Sequence, residues 1–149
     1  MKLSKVTITK ISNDMIGEVV PLFDAHRQFY EQHADPTGAL SFLAERLANR
    51  ESVIFLASVG GRRVGFAQLY PSFSSLSMKR IWILNDLFVD PSARGHGVGT
   101  ALLEECRQLA VETGSKELTL ETMKTNLTAQ ALYEASGWKR DNIFYKYYL

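Results

Sequence analysis

Three glycines, Gly95, Gly97 and Gly99, alternate along the chain where an extended run gives way to an amphipathic helix. From Leu87 to Thr100 the order is strand, the turn at Asp90-Pro91, glycine-rich loop, helix. The first turn of a helix carries backbone N–H groups without internal partners and a partial positive charge. Glycines let an anionic group approach that backbone closely, so the junction suits a phosphate. It is not a nucleoside-triphosphate loop, because no Gly-Lys-Ser/Thr follows to supply a lysine and a Mg²⁺ ligand. Nor is it a dinucleotide fingerprint, because the gap from Gly97 to Gly99 is one residue short of G-x-G-x-x-G. A loop that merely turns the chain is the alternative reading of the same residues.

The remaining pattern supplies a sheet and helices around this junction. Residues 5–11 alternate and read as a first strand, with Ser12 or Asn13 placed to cap a helix. That helix, over 14–31, contains Pro21, whose missing N–H predicts a bent or split element. A second helix spans 39–48 after the turn at Asp35-Pro36-Thr37-Gly38. The apolar run 53–59 reads as a buried strand, Gly60-Gly61 as a tight turn and 63–70 as the returning strand. A serine-rich loop over 71–77 precedes a strand over 80–89. Period two puts Ile81, Ile83, Leu87 and Val89 on one face of it and Trp82, Leu84, Asp86 and Phe88 on the other. A helix over 98–113 carries Leu102, Leu103, Cys106, Leu109 and Ala110 on its apolar side and stops at Gly114. A strand over 117–122, a helix over 127–135 and two final strands, 138–140 and 143–148, complete the count. This mixed order implies an α/β (α+β) fold, a sheet of about seven strands with helices on its faces.

Apolar residues at 46% and charged residues at 22% exclude a disordered or fibrous chain, and 149 residues fit one domain over 1–149. A formal charge of +1 gives no basic field for nucleic acid. No run approaches the ~20 apolar residues of a membrane span, and the opening residues lack the apolar core of a signal peptide. The lone Cys106 cannot form an intrachain disulfide and suits a reducing compartment, so the expected location is the cytoplasm.

Arg94-x-x-Gly97-x-Gly99 matches the Q/R-x-x-G-x-G/A signature of the GNAT superfamily of acetyl-CoA-dependent N-acetyltransferases, and the run 85–91 before it fits the same motif. Downstream, Asn126, Ala131, Tyr133 and Gly137-Trp138 resemble that family's Asn…Ala…Tyr…Gly-Phe/Trp block, in the same order and on the same kinds of element. The resemblance implies a mixed, mostly antiparallel sheet splayed in a V, with acetyl-CoA lying between the strand that ends at Val89 and the strand 117–122. It implies that the backbone of Leu87, Phe88 and Val89 pairs with the pantetheine arm. Amides of Arg94, Gly95, His96, Gly97, Val98, Gly99 and Thr100 would hold the pyrophosphate. Asn126 would lie near the pantetheine and Tyr133 near the thioester sulfur.

Acetyl transfer to an amine needs a neutral amine, a donor for the oxyanion and a proton for the departing thiolate. Tyr133 is the candidate general acid, since a phenol can donate to sulfur without adding charge; a tyrosine that only packs is the alternative. The amide of Val89 is placed to serve the oxyanion. Some polyamine-acetylating relatives carry Glu-Asp where this chain has Asn85-Asp86, and an amide cannot take a proton. Asp86 remains, either to attract a cation and accept its proton through water, or to pair with a neighbour at a strand bulge. Asp24, Glu31 and Glu121 are fallback acids. Cys106 reads as a small core hydrophobe, the His96 side chain as solvated, and His26 and His33 as too widely spaced for a metal, so no metal is expected.

By the same resemblance, the acceptor rim would comprise Phe29, Tyr30, Glu31, Asp35, Tyr70, Phe73, Asn85 and Asp86. Aromatics with carboxylates suit a small organic cation; simple packing of these aromatics is the alternative. The expected activity is transfer to a polyamine- or diamine-like primary amine. A protein lysine or N-terminal acetyltransferase and a non-catalytic acyl-CoA sensor are the competing readings. The aromatic run 144–148 suggests an exchanged or shared strand in a homodimer.

Overall fold

The run from Val53 to Ala57 is apolar at consecutive positions because it is covered on both faces. In the computed structural model, which describes residues 5–149, it lies in β2 (Val53–Val59), inside a sheet ordered β1-β2-β3-β4-β5. The other strands are β1 (Val6–Lys10), β3 (Arg62–Ser74), β4 (Lys79–Val89) and β5 (Leu118–Leu120). Neighbours from β1 to β4 are antiparallel, and β5 joins β4 in parallel. The helices are α1 (Ile16–Phe29), α2 (Pro36–Ala48), α3 (Val98–Glu112) and α4 (Leu127–Ala135).

Alternation along β2 sends Ile54 and Leu56 to one side and Phe55 and Ala57 to the other. The first side meets Ile16, Val19, Leu22 and Phe23 of α1 and Leu43 of α2. The second meets Val98, Leu102, Leu103, Cys106 and Leu109 of α3, in line with the predicted apolar side. Cys106 is buried there, and burial, aided by the charge of Glu105, pushes its thiol up to about 12. The thiol is a packing group at neutral pH. Among the described residues no helix is long and apolar enough to cross a membrane.

Four expectations are corrected. First, Pro21 does not split α1, which runs unbroken through it. Pro21 and Gly17, whose carbonyl loses its helical donor, are both exposed, so that oxygen is open to solvent while the buried face holds the helix on the sheet. The break comes after Phe29. There the buried carboxylate of Asp24 accepts from Arg27 Nη1 at 3.1 Å and from the Asp35 amide at 3.0 Å, and Glu31 turns the chain with φ 62°. Asp35 in turn caps α2 by accepting from the Gly38 amide at 2.9 Å. Second, the serine-rich loop is mostly strand. β3 and β4 pair out to Ser74 and Lys79, leaving a turn over 75–78.

Third, the two final strands do not form, so the described sheet has five strands rather than about seven. β5 is only three residues long and offers a short edge to the chain that follows. Residues 138–149 run irregularly, and Phe144, Tyr145, Tyr147 and Tyr148 are exposed. Fourth, the faces of β4 do not alternate throughout. Trp82 and Leu84 pack on the α3 side, as Leu87 and Val89 do, but Phe88 packs on the α1 side. A bulge causes this. Gln68 pairs with Asp86 and Leu69 with Leu84, so Asn85 has no partner and every later side chain changes face.

Gly65, opposite Val89, shows how closely β3, β4 and α3 approach. A Cβ there would lie 2.8 Å from the Phe88 carbonyl oxygen and 3.3 Å from Val98 Cγ1. Gly65→Ala is expected to cost ~1–3 kcal/mol through this overlap, seen as a lower urea midpoint with an unchanged slope. An unchanged midpoint would show that the layers are not in contact at this point.

Candidate active site

β4 and β5 separate just where the bulge begins. Their pairing runs from Trp82–Leu118 to Leu84–Leu120 and stops, whereas β4 continues to Val89 with β3 on its other side. The β4 edge from Asn85 to Val89 therefore borders a cleft of about 850 Å³ instead of a neighbouring strand. The end of α1, the first turn of α3 and the cleft-facing side of α4 complete its walls.

The glycine-rich loop forms one end. Gly95 and Gly97 have φ of 79° and 82°, left-handed conformations that L side chains adopt only with strain, and nothing lies within 4 Å of a Cβ built on either. Both face open space in the cleft. Gly97 is also the N-cap of α3, and no side chain caps that helix. The first intrahelical bond comes from the Ala101 amide to the Gly97 carbonyl, at 3.0 Å. The amides of Val98, Gly99 and Thr100 are thus left as donors at a positive helix end. Gly99 has a different role: a Cβ there would meet Leu132 Cδ2 at 2.9 Å, so it admits α4 against α3. Arg94 returns to donate from Nε to the Val89 carbonyl at 2.9 Å, placing its guanidinium beside the end of β4. The turn before the loop is fixed by Asp90, which accepts from the hydroxyl and amide of Ser92; these bonds hold its carboxyl below its ordinary range.

Asp86 and the aromatic end of α1 form the opposite end. Asp86 Oδ2 accepts from Gln68 Nε2 at 2.8 Å and from Asn85 Nδ2 at 3.2 Å, and Oδ1 lies 3.4 Å from His26 Nε2. Gln68 is fully buried, and its Oε1 has no partner. Tyr133 of α4 lines the cleft and packs against Trp138 at 6.1 Å between ring centroids. Burial raises the pKa of its phenol above the ordinary value, and the nearby Tyr30 adds to the effect. Tyr133 therefore keeps its proton across the neutral range.

Of the residues expected at the cofactor, Leu87, Phe88, Val89, Arg94, Gly95 and Gly97 line the cleft, as do Val98, Gly99, Thr100, Asn126 and Tyr133. Asn126 also caps α4, its Oδ1 accepting from the Ala129 amide at 3.1 Å. His96 does not join them. It lines a smaller cavity with Val6, Val59 and Arg62 instead. Of the expected acceptor residues, Phe29, Tyr30, Asn85 and Asp86 line the cleft, whereas Glu31 and Tyr70 do not. Glu31 sits exposed in the turn after α1. Tyr70 lies within β3, where burial first and the Asp86 charge second push its phenol up to about 12. Among the fallback acids, Asp24 is used in the α1–α2 turn, while Glu121 lines the cleft and pairs with Lys146 at 2.5 Å. Phe73 is exposed beside the Arg80 guanidinium, outside the cleft.

His26, too far from His33 in the sequence to suggest a metal site, also lines the cleft. Its signal was helical spacing: 26, 29 and 30 are one turn apart and share a face with Phe29 and Tyr30.

An open strand edge leading into uncapped helix amides and an arginine is a site suited to an elongated, phosphate-bearing ligand. The donors present fit a pyrophosphate, and the β4 edge fits an amide-bearing arm. The chain belongs to the acetyltransferase (GNAT) family, whose model matches residues 19–138, and it is an acetyltransferase. It is 50% identical over 131 residues to the uncharacterized N-acetyltransferase YhfO of Bacillus subtilis (strain 168), covering 88% of each chain. It is 33% identical over 125 residues to a probable acetyltransferase of Haemophilus influenzae, covering 83% of this chain and 84% of the other. The crystal structure of a probable acetyltransferase superposes with a TM-score of 0.91 at 41% identity, over 96% of both chains.

Gly97→Glu places a carboxylate at the open mouth of the loop. Coenzyme A affinity, measured by calorimetry on protein shown by circular dichroism to be folded, is expected to fall at least ~100-fold, or about 2.7 kcal/mol. Affinity within about threefold of the parent would remove the loop from the binding site.

Proposed function

We propose that the protein transfers the acetyl group of acetyl-CoA directly to a primary amine of a small, polyamine- or diamine-like cation, within a ternary complex. The observation that carries this reading is Asp86, a carboxylate at the end of the cleft opposite the anion-binding loop, beside Phe29 and Tyr30. A cation is drawn there by charge and by aromatic faces.

On this reading, the β4 edge over 85–89 pairs with the pantetheine arm. The amides of the glycine loop and α3, with Arg94, hold the pyrophosphate. The Val89 amide donates to the carbonyl oxygen as it gains charge. Tyr133 donates its proton to the departing sulfur, a role supported by its burial in the cleft and its retained proton. The same reading makes the chain one catalytic domain, acting in the cytoplasm as a homodimer. The single buried thiol and the exposed aromatic run 144–148 support these assignments.

The test is acetyl-CoA-dependent thiol release across diamines, polyamines, aminoglycosides, amino acids and peptides. Turnover with diamines or polyamines, and little with peptides, is expected. Turnover confined to peptide amines would favour a protein acetyltransferase, and acetyl-CoA binding with no turnover would favour a sensor. Tyr133→Phe is expected to lower kcat ~100-fold while acetyl-CoA affinity stays within about threefold. Equal losses in both would assign Tyr133 to packing.

A further inference from the structure

We infer that His26 is the base that takes the proton from the acceptor amine, and that Asp86 is the residue that positions it. This rests on the amine-acetylating reading above and adds the proton acceptor that the reading lacks.

Asp86 is committed on one oxygen. Oδ2 accepts from both Gln68 and Asn85, at 2.8 and 3.2 Å, which fixes the plane of the carboxylate. The remaining oxygen, Oδ1, faces His26 Nε2 at 3.4 Å. The two side chains are only 13% and 12% exposed, and both still line the cleft. The imidazole is also fixed by three rings. Tyr30, Phe66 and Phe88 stand edge-on to it with centroids at 5.2, 5.8 and 5.7 Å. An imidazole held by aromatics and oriented by a carboxylate has one nitrogen engaged and the other available, the arrangement that suits proton transfer.

The charged and titratable surroundings are few. Tyr30 on α1 and Asp86 on β4 face the ring directly. Tyr70 on β3 feels the charges of Asp86 and of Arg46 on α2. Tyr133 on α4 acts on this end through Tyr30. Asp24 and Arg27, the neighbouring charges of α1, are paired with each other. Glu121, across the cleft, is paired with Lys146.

Two protons leave the substrate ammonium over the reaction. The first passes to His26 and then to solvent, freeing the nitrogen lone pair. That pair forms the bond to the thioester carbonyl carbon as the carbon–sulfur bond breaks and its electrons remain on sulfur. Tyr133 gives its proton to the sulfur, and the second proton, leaving the new amide nitrogen, restores the phenol through solvent, giving the N-acetyl amine and free coenzyme A thiol.

The experiment is the pH profile of kcat with 1,4-diaminobutane and with an N-terminal peptide, for the parent, His26→Gln and His26→Ala, with and without added imidazole. Acetyl-CoA affinity serves as the control for folding. Removal of His26 is expected to lower kcat ~10²–10⁴-fold, to abolish the acidic limb and to leave acetyl-CoA affinity within about threefold; imidazole is expected to restore part of the rate in His26→Ala. His26→Gln retaining kcat within about threefold and the acidic limb would overturn the inference while leaving the small-amine reading intact. Parent turnover confined to the peptide would overturn the small-amine reading, and the same variants then test His26 on the peptide. A parent inactive on both would overturn the two together.

Discussion

Asn85 is the unpaired residue on which the cleft geometry depends. It lies between Leu84, paired with Leu69, and Asp86, paired with Gln68. One inserted residue changes the face of everything after it. Leu84 remains in the layer under α3, Phe88 enters the layer under α1, and Asp86 comes to face His26. With unbroken alternation, Asp86 would share a face with Trp82 and Leu84, inside the apolar α3-side core, where an ionised carboxylate is costly to bury without partners. The bulge gives it two amide donors and an imidazole instead. It also coincides with the end of β4–β5 pairing, so the segment that changes face is the segment whose outer edge is open.

Charge then divides the cleft. At one end, uncapped α3 amides and Arg94 favour anions. At the other, Asp86 stands beside aromatic rings and favours cations. A ligand with phosphates at one end and a reactive acyl group at the other has one favourable orientation in such a field. On the proposed reading, its acyl end meets Tyr133 and the acceptor amine meets Asp86 and His26. Gly99 and Gly65 contribute by close approach rather than by ligand contact, letting α4 and β3 pack against α3 and β4.

The loop and its helix were legible in the sequence because their signals are local. Alternating glycines, a turn proline and a 3.6-residue apolar stripe need no knowledge of the rest of the chain. The strand–helix order was legible for the same reason, and the family motifs on Arg94, Gly97, Gly99 and Tyr133 carried the functional class. The bulge was not legible, since residues 80–89 alternate cleanly on paper and only the register against β3 shows the slip. His26 escaped because its role depends on a carboxylate sixty residues away in the chain. Pro21 misled in the other direction, since tertiary packing held a helix that local propensity would break. The residues 143–148 carry strand-forming side chains, yet propensity alone supplies no neighbouring edge, and the described sheet ends at β5.

The most direct test of this account is to follow backbone amide resonances as acetyl-CoA is added to the labelled protein. The amides of 85–89 and 94–100 are expected to shift together and become protected from exchange, while those around Arg62 and Val6, which line the smaller cavity, stay where they are. Shifts centred on that smaller cavity, with 85–89 unmoved, would contradict this assignment of the binding site.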